Sequence, residues 1–500
     1  MIATYWITRL VFQRALALVY LIGFATVVRQ FIPLLGERGL LPVPQFTRSV
    51  PFWNSPSIFY WFQSNGAFML FGWIGIALSL YALSGFSERF GNGASMAVWA
   101  LLWVLYLSYV NVGQTFYAFG WESLLVETGF YAIFLGAAHS EPSVLTIFLL
   151  RWLLFRVMFG AGLIKLRGDE CWRNLTCLNY HYETQPIPNP LSWYFHWLPP
   201  GFQSLSVLGN HFVELVVPFL FFFPQPLAAI GGIITIGFHL WLMMSGNFAF
   251  LGLLTMVLAI STLSDVQLGY LLPMLSAGAL TALSTPYLYA IYAVGALVLL
   301  LSYFPIANMF SSNQAMNASY NPFHLVGTYG AFGSITRPRY EVIIEGTGDP
   351  ILTPQTRWQE YEFIAKPGNI FRRPSQVAPY HLRLDWLMWF QPFNAEVIDG
   401  NVSVQGYDPW FIHFIEKLLQ NDRPTLSLMR SNPFPVNPPR YIRALFYQYR
   451  FTTSEERKTT GAWWRRDLVG IYFPPVSLDN PQFHAALQSR GWIGKNGQPL

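Results

Sequence analysis

The feature that most constrains this chain is a series of apolar runs, each about 20 residues long, that carry almost no charge. Residues 1–310 hold 11 Lys/Arg and 10 Asp/Glu, whereas residues 311–500 hold 19 and 15. A hydrocarbon core about 30 Å thick asks for about 20 mostly apolar residues per crossing helix. Runs of that kind lie at approximately 10–30, 66–85, 95–113, 121–138, 144–166, 205–223, 227–246, 248–264, 268–284 and 287–305. They predict a multi-pass α-helical membrane domain of about 9–11 helices over 1–310, with ten as the central count. The chain is 53% hydrophobic and only 11% charged, against about 25% charged in soluble domains, so most of it cannot face water. The first run has no basic segment before it and no small-residue cleavage site after it, and reads as a retained helix.

Ionisable residues inside apolar runs are costly, about 2.5–3.5 kcal/mol at the bilayer centre on insertion scales, and normally face the bundle interior in pairs. Glu122, Glu127, Arg151 and Arg156 balance in number and predict an interior charge network between the fourth and fifth helices. His211 and Glu214 stand three apart, on one helical face, and form a candidate proton-handling pair beside the blander reading of an interhelical hydrogen bond. Lys165 is a candidate base if burial lowers its pKa, although a lysine at a helix end more often snorkels to the interface. Arg9 and Arg14 favour a cytosolic N-terminus, against Arg38 and Arg48 in the next loop; a cytosolic N-terminus would put the loop at 167–204 on the other side.

That loop is the most chemical stretch of the membrane half. Its sequence, RGDECWRNLTCLNYHYETQPIPNPLSWYFHWLPP, carries five prolines that fix backbone angles. Cys171 and Cys177 are too far apart in sequence for a two-residue redox or zinc pair. A structural disulfide in an oxidising compartment, two free buried thiols, and zinc held with His181 or His196 are the open readings. Arg167, Asp169, Trp172, Tyr180, His181, Tyr182, Glu183, Trp193 and His196 make the loop either an interfacial re-entrant segment or a docking surface for a polypeptide client.

Residues 311–500 alternate strand and turn signals. Strand-like runs lie at 339–346, 358–368, 383–390, 440–451 and 467–473, and one helical spacing at 407–420. They predict a β-rich, sandwich-like α+β globular domain. Its mixed charge reads as an ordinary solvated surface and not as a nucleic-acid footprint, so no nucleic-acid partner is expected. The sequence holds no phosphate-cradling loop, nucleophile elbow, HExxH or paired CxxC motif, so no cofactor or metal is expected either. A transporter would need inverted repeats or matched broken helices, and the sequence shows neither.

Several long motifs then carry a family resemblance. FGAGLIKLRGDECWRNLTCLNYHYETQPIPNPLSWYFH (159–196), QTFYAFGWESLLVETGF (114–130), NHFVELVVPF (210–219) and SGNFAFLGLLTM (245–256) resemble the lipase maturation factor family. So do HLVGTYGAFGSITRPRYEVIIEGTGD (324–349), WQEYEFIAKPGN (358–369), RRPSQVAPYHLRLDWLMWF (372–390), NPFPVNPPRYIRALFYQYRFT (432–452) and GAWWRRDLVGIYFPPVSL (461–478) in the tail. Within the tail motifs, Arg339, Glu341, Arg383, Asp385, Trp386 and Trp389 are the candidate site residues. Leu387 departs from the pattern, where a glutamine is expected. The resemblance implies a non-catalytic membrane protein that assists maturation of secreted lipases. It further implies the endoplasmic reticulum in eukaryotes, or an inner or plasma membrane in bacteria, with a secreted client and membrane lipids as partners. The membrane half is more distantly similar to vitamin K-dependent carboxylases, which implies the alternative of a membrane-embedded enzyme acting on a lipid-like or polypeptide substrate.

Overall fold

A computed structural model describes residues 3–492; residues 1–2 and 493–500, the outer ends of the two expected regions, lie outside them. The N-terminal part is helical, and the C-terminal part is an α+β unit built on antiparallel strands. Six helices among the described residues are long and apolar enough to cross a bilayer, or seven if one sharply bent pair counts as a span. They are α1 (Trp6–Leu35), α2 (Asn65–Leu83), α3 (Asn92–Val112), α5 (Val144–Arg167), α7 (Leu227–Ser245) and α9 (Thr285–Leu301, continued by Tyr303–Phe310). Three shorter helices lie between them: α4 (Gly120–Ala132), α6 (Pro200–Leu215, continued by Val217–Leu220) and α8 (Leu251–Ile260).

Side-chain contacts place the turns alternately at two ends of this bundle. At one end, the Trp6 and Ile7 amides donate to Asp265, Asn92 accepts from the Ala137 amide, and the Thr281 amide donates to His139. At the other end, the Glu37 amide donates to Asn65, Asn111 to the Pro322 carbonyl, Ser192 to the Ser245 carbonyl, and Arg167 to the Met309 carbonyl. Among the described residues, nine helical segments, six of them long and apolar enough to cross a bilayer, run between the two ends. The expected tenth span at 268–284 does not cross: Asp265 and Thr281 hold its two flanks to the same end, and only Asp265–Leu271 within it is helical. The short passes are permitted by where they sit. Of the 13 residues of α4, 11 are buried, so its irregular flanks meet protein and not lipid, the condition for non-helical backbone at membrane depth.

Close packing without a hydrophobic drive between helices requires small residues at crossings. A Cβ at Gly129 of α4 would lie 1.7 Å from the Tyr20 hydroxyl of α1, and one at Gly75 of α2 would lie 2.4 Å from the Phe24 ring. Tyr20 and Phe24 in turn stand edge-on to Tyr106 of α3, with centroids 5.7 and 5.4 Å apart. α1 is therefore the post around which the first passes are wound.

The tail centres on a four-stranded antiparallel sheet of order β2-β1-β7-β8, where β1 is Arg339–Thr347, β2 Gln359–Glu360, β7 Tyr441–Phe451 and β8 Trp464–Val476. Two small two-stranded sheets flank it: β3 (Glu362–Phe363) with β6 (Met429–Ser431), and the hairpin β4 (Ala395–Ile398) with β5 (Asn401–Val404). The strand-like run at 383–390 is instead a helix, α10 (Arg383–Met388). A short apolar run does not separate helix from strand by pattern alone, and here Arg383 and Asp385 both point into buried polar partners. α11 (Pro409–Leu419) buries ten of its eleven residues, among them Phe411, Phe414, Ile415 and Leu418, in the core it shares with the sheet.

Candidate functional site

Bundle, loop and tail meet along three buried seams of charge. In the first, Arg383 of the tail reaches Glu122 of α4 at 2.7 Å, with both side chains fully buried. The Tyr106 hydroxyl donates to the other carboxylate oxygen at 2.5 Å, and His381 stands 3.5 Å from the first. Arg383 also donates to the Phe116 carbonyl at 2.8 Å and lies 3.5 Å above the Tyr117 ring. Burial holds the His381 imidazole down at about 4, so it is neutral and leaves Arg383 as the counter-ion. Gln30 of α1 closes the seam by donating to the His381 carbonyl and accepting from the Arg383 amide.

In the second seam, Arg156 of α5 pairs with Glu127 of α4 and donates to the Gly327 carbonyl at 2.7 Å. The Tyr329 hydroxyl and the Gly327 amide both donate to Glu127, at 2.7 and 3.3 Å. The segment between the last pass and the sheet is thus threaded into the bundle and held by its central ion pair.

In the third, Arg339 at the start of β1 donates to the carbonyls of Glu183 (2.8 Å) and Pro186 (3.0 Å) in the loop. It pairs with Glu341 at 2.6 Å, which also meets Lys366 at 2.5 Å; burial pulls the Lys366 ammonium down from its ordinary value. Asp385 accepts from the amides of Ala365 and Lys366 and is pushed up by burial. Nearby, the Trp389 indole donates to the Thr184 carbonyl at 2.9 Å.

The expected pairing of two acids with two arginines between the fourth and fifth helices therefore holds only for Glu127 and Arg156. Glu122 finds its partner 261 positions on (383 − 122), which no local spacing could reveal. Among the described residues Arg151 meets no carboxylate: it donates to the carbonyls of Ser261 and Phe221 and to the Tyr5 hydroxyl.

The loop is sandwiched between bundle and tail; of its aromatics, Trp172, His181, Tyr182 and Trp193 are buried, whereas Tyr194 and Trp197 are exposed. Cys171 and Cys177 form a disulfide, which consumes the thiols that zinc would need. Asp169 caps the Cys171 amide and pairs with Arg337, whose guanidinium holds the carboxyl well below its ordinary value and lies over the Tyr180 ring. The Trp193 indole donates to the Thr452 carbonyl at 2.8 Å. Glu183 accepts from the Phe451 amide at 2.6 Å, and burial raises its carboxyl to about 7. His196 stands 3.8 Å from Glu183 and is held at about 4 by burial. Arg167 is exposed and donates to Gln314 and the Met309 carbonyl.

Above this junction lies a cavity of about 630 Å³, within the range of about 300–1,000 Å³ typical of small-molecule sites. Its wall includes Lys165, Glu214, His239, Trp172, His181 and Tyr182, and on the tail side Trp386, Leu387 and Trp389. Lys165 donates to Glu214 at 2.5 Å, and Asn210 donates to the other Glu214 oxygen at 2.9 Å. His211 is not part of the wall; its ring meets the Trp172 carbonyl at 3.0 Å. The expected His211/Glu214 pair does not form, because Glu214 turns toward Lys165 across the helix interface. Burial, with Lys165 nearby, lowers His181 to about 3. Sequence reasoning missed His381, Tyr329, Arg337, Lys366 and Asn210; their only signal is the residue each one faces across a long loop.

Two family models match the chain: the lipase maturation factor transmembrane domain over residues 7–270 and the lipase maturation factor C-terminal domain over residues 325–474. Lipase maturation factor 1 of Homo sapiens is 40% identical over 98% of this chain and 91% of its own length. That of Mus musculus is 40% identical over 95% and 88%, and lipase maturation factor 2 of Xenopus laevis 31% over 97% and 84%. No solved structure gives a significant match.

Proposed function

The chain belongs to the lipase maturation factor family, and from that premise we propose that it assists folding or assembly of secreted lipases on the non-cytosolic side of a membrane. The observation that carries this reading is similarity along 98% of the chain to a relative named for that role. One feature of the fold supports the side. Loop and tail share one end of the bundle and Arg9 and Arg14 lie at the other, but Arg38 and Arg48 lie at the loop end, so charge alone does not choose the side. The Cys171–Cys177 disulfide sits with the loop and belongs in an oxidising compartment. For a eukaryotic protein this reading corresponds to the endoplasmic reticulum membrane, and for a bacterial one to the inner or plasma membrane.

The client surface we assign to the tail. Phe393, Ile398, Leu468 and Ile471 are large apolar side chains between 49% and 59% exposed, on or beside the β4–β5 hairpin and the edge strand β8. Exposed apolar surface of that kind marks binding faces. The assay is the active fraction of a secreted lipase in cells whose own family member has been deleted, with and without this chain. The chain should raise the active fraction, and L468S/I471S should lower it while membrane insertion stays intact. Equal active fractions with and without the chain overturn the proposal.

A further inference from the structure

We propose that the junction cavity is a binding site for a neutral, single-chain lipid, with an acyl chain along the apolar wall and an uncharged hydroxyl or ester head at Lys165, Glu214 and His239. This goes beyond the maturation reading and does not depend on a lipase.

The wall begins at Ala161 and Lys165 inside the bundle and reaches Trp386 and Trp410 of the tail. A molecule in it would touch both halves of the chain. The helix α6 separates the cavity from lipid with two different faces. Ser206, Asn210 and Glu214 recur every four residues and line the cavity, one stripe of a helix. Phe202, Leu205, Leu208 and Phe212 lie on its other faces and are 43–64% exposed. A polar stripe turned away from the bilayer, inside a membrane-embedded bundle, is a functional feature by default.

The polar end favours a head without net charge. Lys165 and Glu214 are both at least 95% buried and neutralise each other at 2.5 Å. A phosphate or carboxylate head would add a buried charge with no counter-ion, which is strongly unfavourable. A hydroxyl or ester carbonyl finds what it needs. The ammonium has three donors, and among the described residues Glu214 is its one hydrogen-bond partner. His239 lines the cavity, is 6% exposed, and its Nδ1 has no hydrogen-bond partner among the described residues; a buried ring nitrogen without one is unusual. Leu387, where the family pattern expects an amide, makes the wall more apolar still.

The test uses the full chain in phosphatidylcholine nanodiscs and a photoreactive monoacylglycerol carrying a diazirine in its acyl chain. Labelling should be saturable and map to peptides containing Ala161 or Trp241, and excess unlabelled monoacylglycerol should abolish it. A161W, which fills the cavity, should cut labelling about tenfold, as should the charge-removing K165M/E214Q, each tenfold being 1.4 kcal/mol. If A161W melts below the parent, T255F on the opposite wall serves as the filling variant. Labelling spread over Leu205 and Leu208, or unchanged in the filling variant, overturns the proposal. Equal competition by lysophosphatidic acid or a fatty acid overturns the neutral-head assignment. Lipase activation unaltered in the same variants leaves the maturation reading standing, so the two failures are told apart.

Discussion

Removing Arg383 should detach the tail from the membrane bundle. The R383M side chain keeps most of the apolar volume but leaves Glu122, fully buried beside Arg383 at 2.7 Å, without its counter-ion. Breaking a buried pair from one side costs about 3–5 kcal/mol. The variant also loses the 2.8 Å hydrogen bond to the Phe116 carbonyl and the stacking over Tyr117 at 3.5 Å, but these act on one group and do not add in full. His381 cannot take over cheaply, because burial keeps it neutral down to about 4. The double variant E122Q/R383M should recover at least half of the loss, since the desolvated carboxylate is gone and Tyr106 can still donate to the amide oxygen. The assay is thermal unfolding of the detergent-solubilised protein, with limited proteolysis between residues 311 and 338 as the local readout. R383M should melt well below the parent and be cut there sooner, with the double variant between them. Equal melting of R383M and parent would show that the seam does not hold the tail. A double variant as unstable as the sum of its singles would refute the ion-pair account.

Three further outcomes follow from the same contacts. C171S/C177S should be less stable by about 2 kcal/mol, the loop-closure value for a bridge spanning six residues, and neither cysteine should be alkylated in unreduced native protein; full alkylation would contradict the bridge. Glu183 is raised by burial to about 7 from an ordinary 4.5, so its contribution is fully present below about pH 4.5 and is lost as pH rises to 7; E183Q should flatten the stability profile between pH 5 and 7, and an unchanged slope would refute its burial in the neutral form. N401C, at the exposed start of β5 in the tail hairpin, should react with an impermeant maleimide only after sealed microsomes are opened, whereas R89C at the opposite end should react in intact ones; the reverse pattern would invert the topology.

The sequence displayed the large division well, because charge density is local: few ionisable groups before 310, many after. β1 and β7 are visible as 339–346 and 440–451 because both runs are rich in β-branched and aromatic residues, and α11 as 407–420 because its apolar positions keep a helical spacing. The stretch 268–284 was apolar enough to be taken for a span, but hydropathy carries no record of where a segment's two ends are tied, and Asp265 and Thr281 tie both to one end. The site was legible as an inventory and not as a wiring plan. Glu122 stands out as a charge in an apolar run, Lys165 as a lysine at a helix end, and Arg339 and Arg383 within the tail motifs of the resemblance, yet the partners of Glu122 and Lys165 lie 261 and 49 positions away and are fixed only by folding. Local spacing suggested Glu214 with His211 on one helix; packing gave it Lys165 from another.

The threaded segment also sets an order for biogenesis. Glu127 and Arg156 are inserted early, but Gly327 and Tyr329, which complete their shell, are 200 and 202 positions beyond Glu127. At a synthesis rate of about 5–20 residues per second, the half-satisfied pair waits about 10–40 s in the bilayer for its last ligands. During that interval the bundle is open where the tail will later close it. A protein whose relatives are named for maturing others must thus itself pass through an unfinished state, which Tyr329 ends at the Glu127–Arg156 pair and Arg383 ends later still at Glu122.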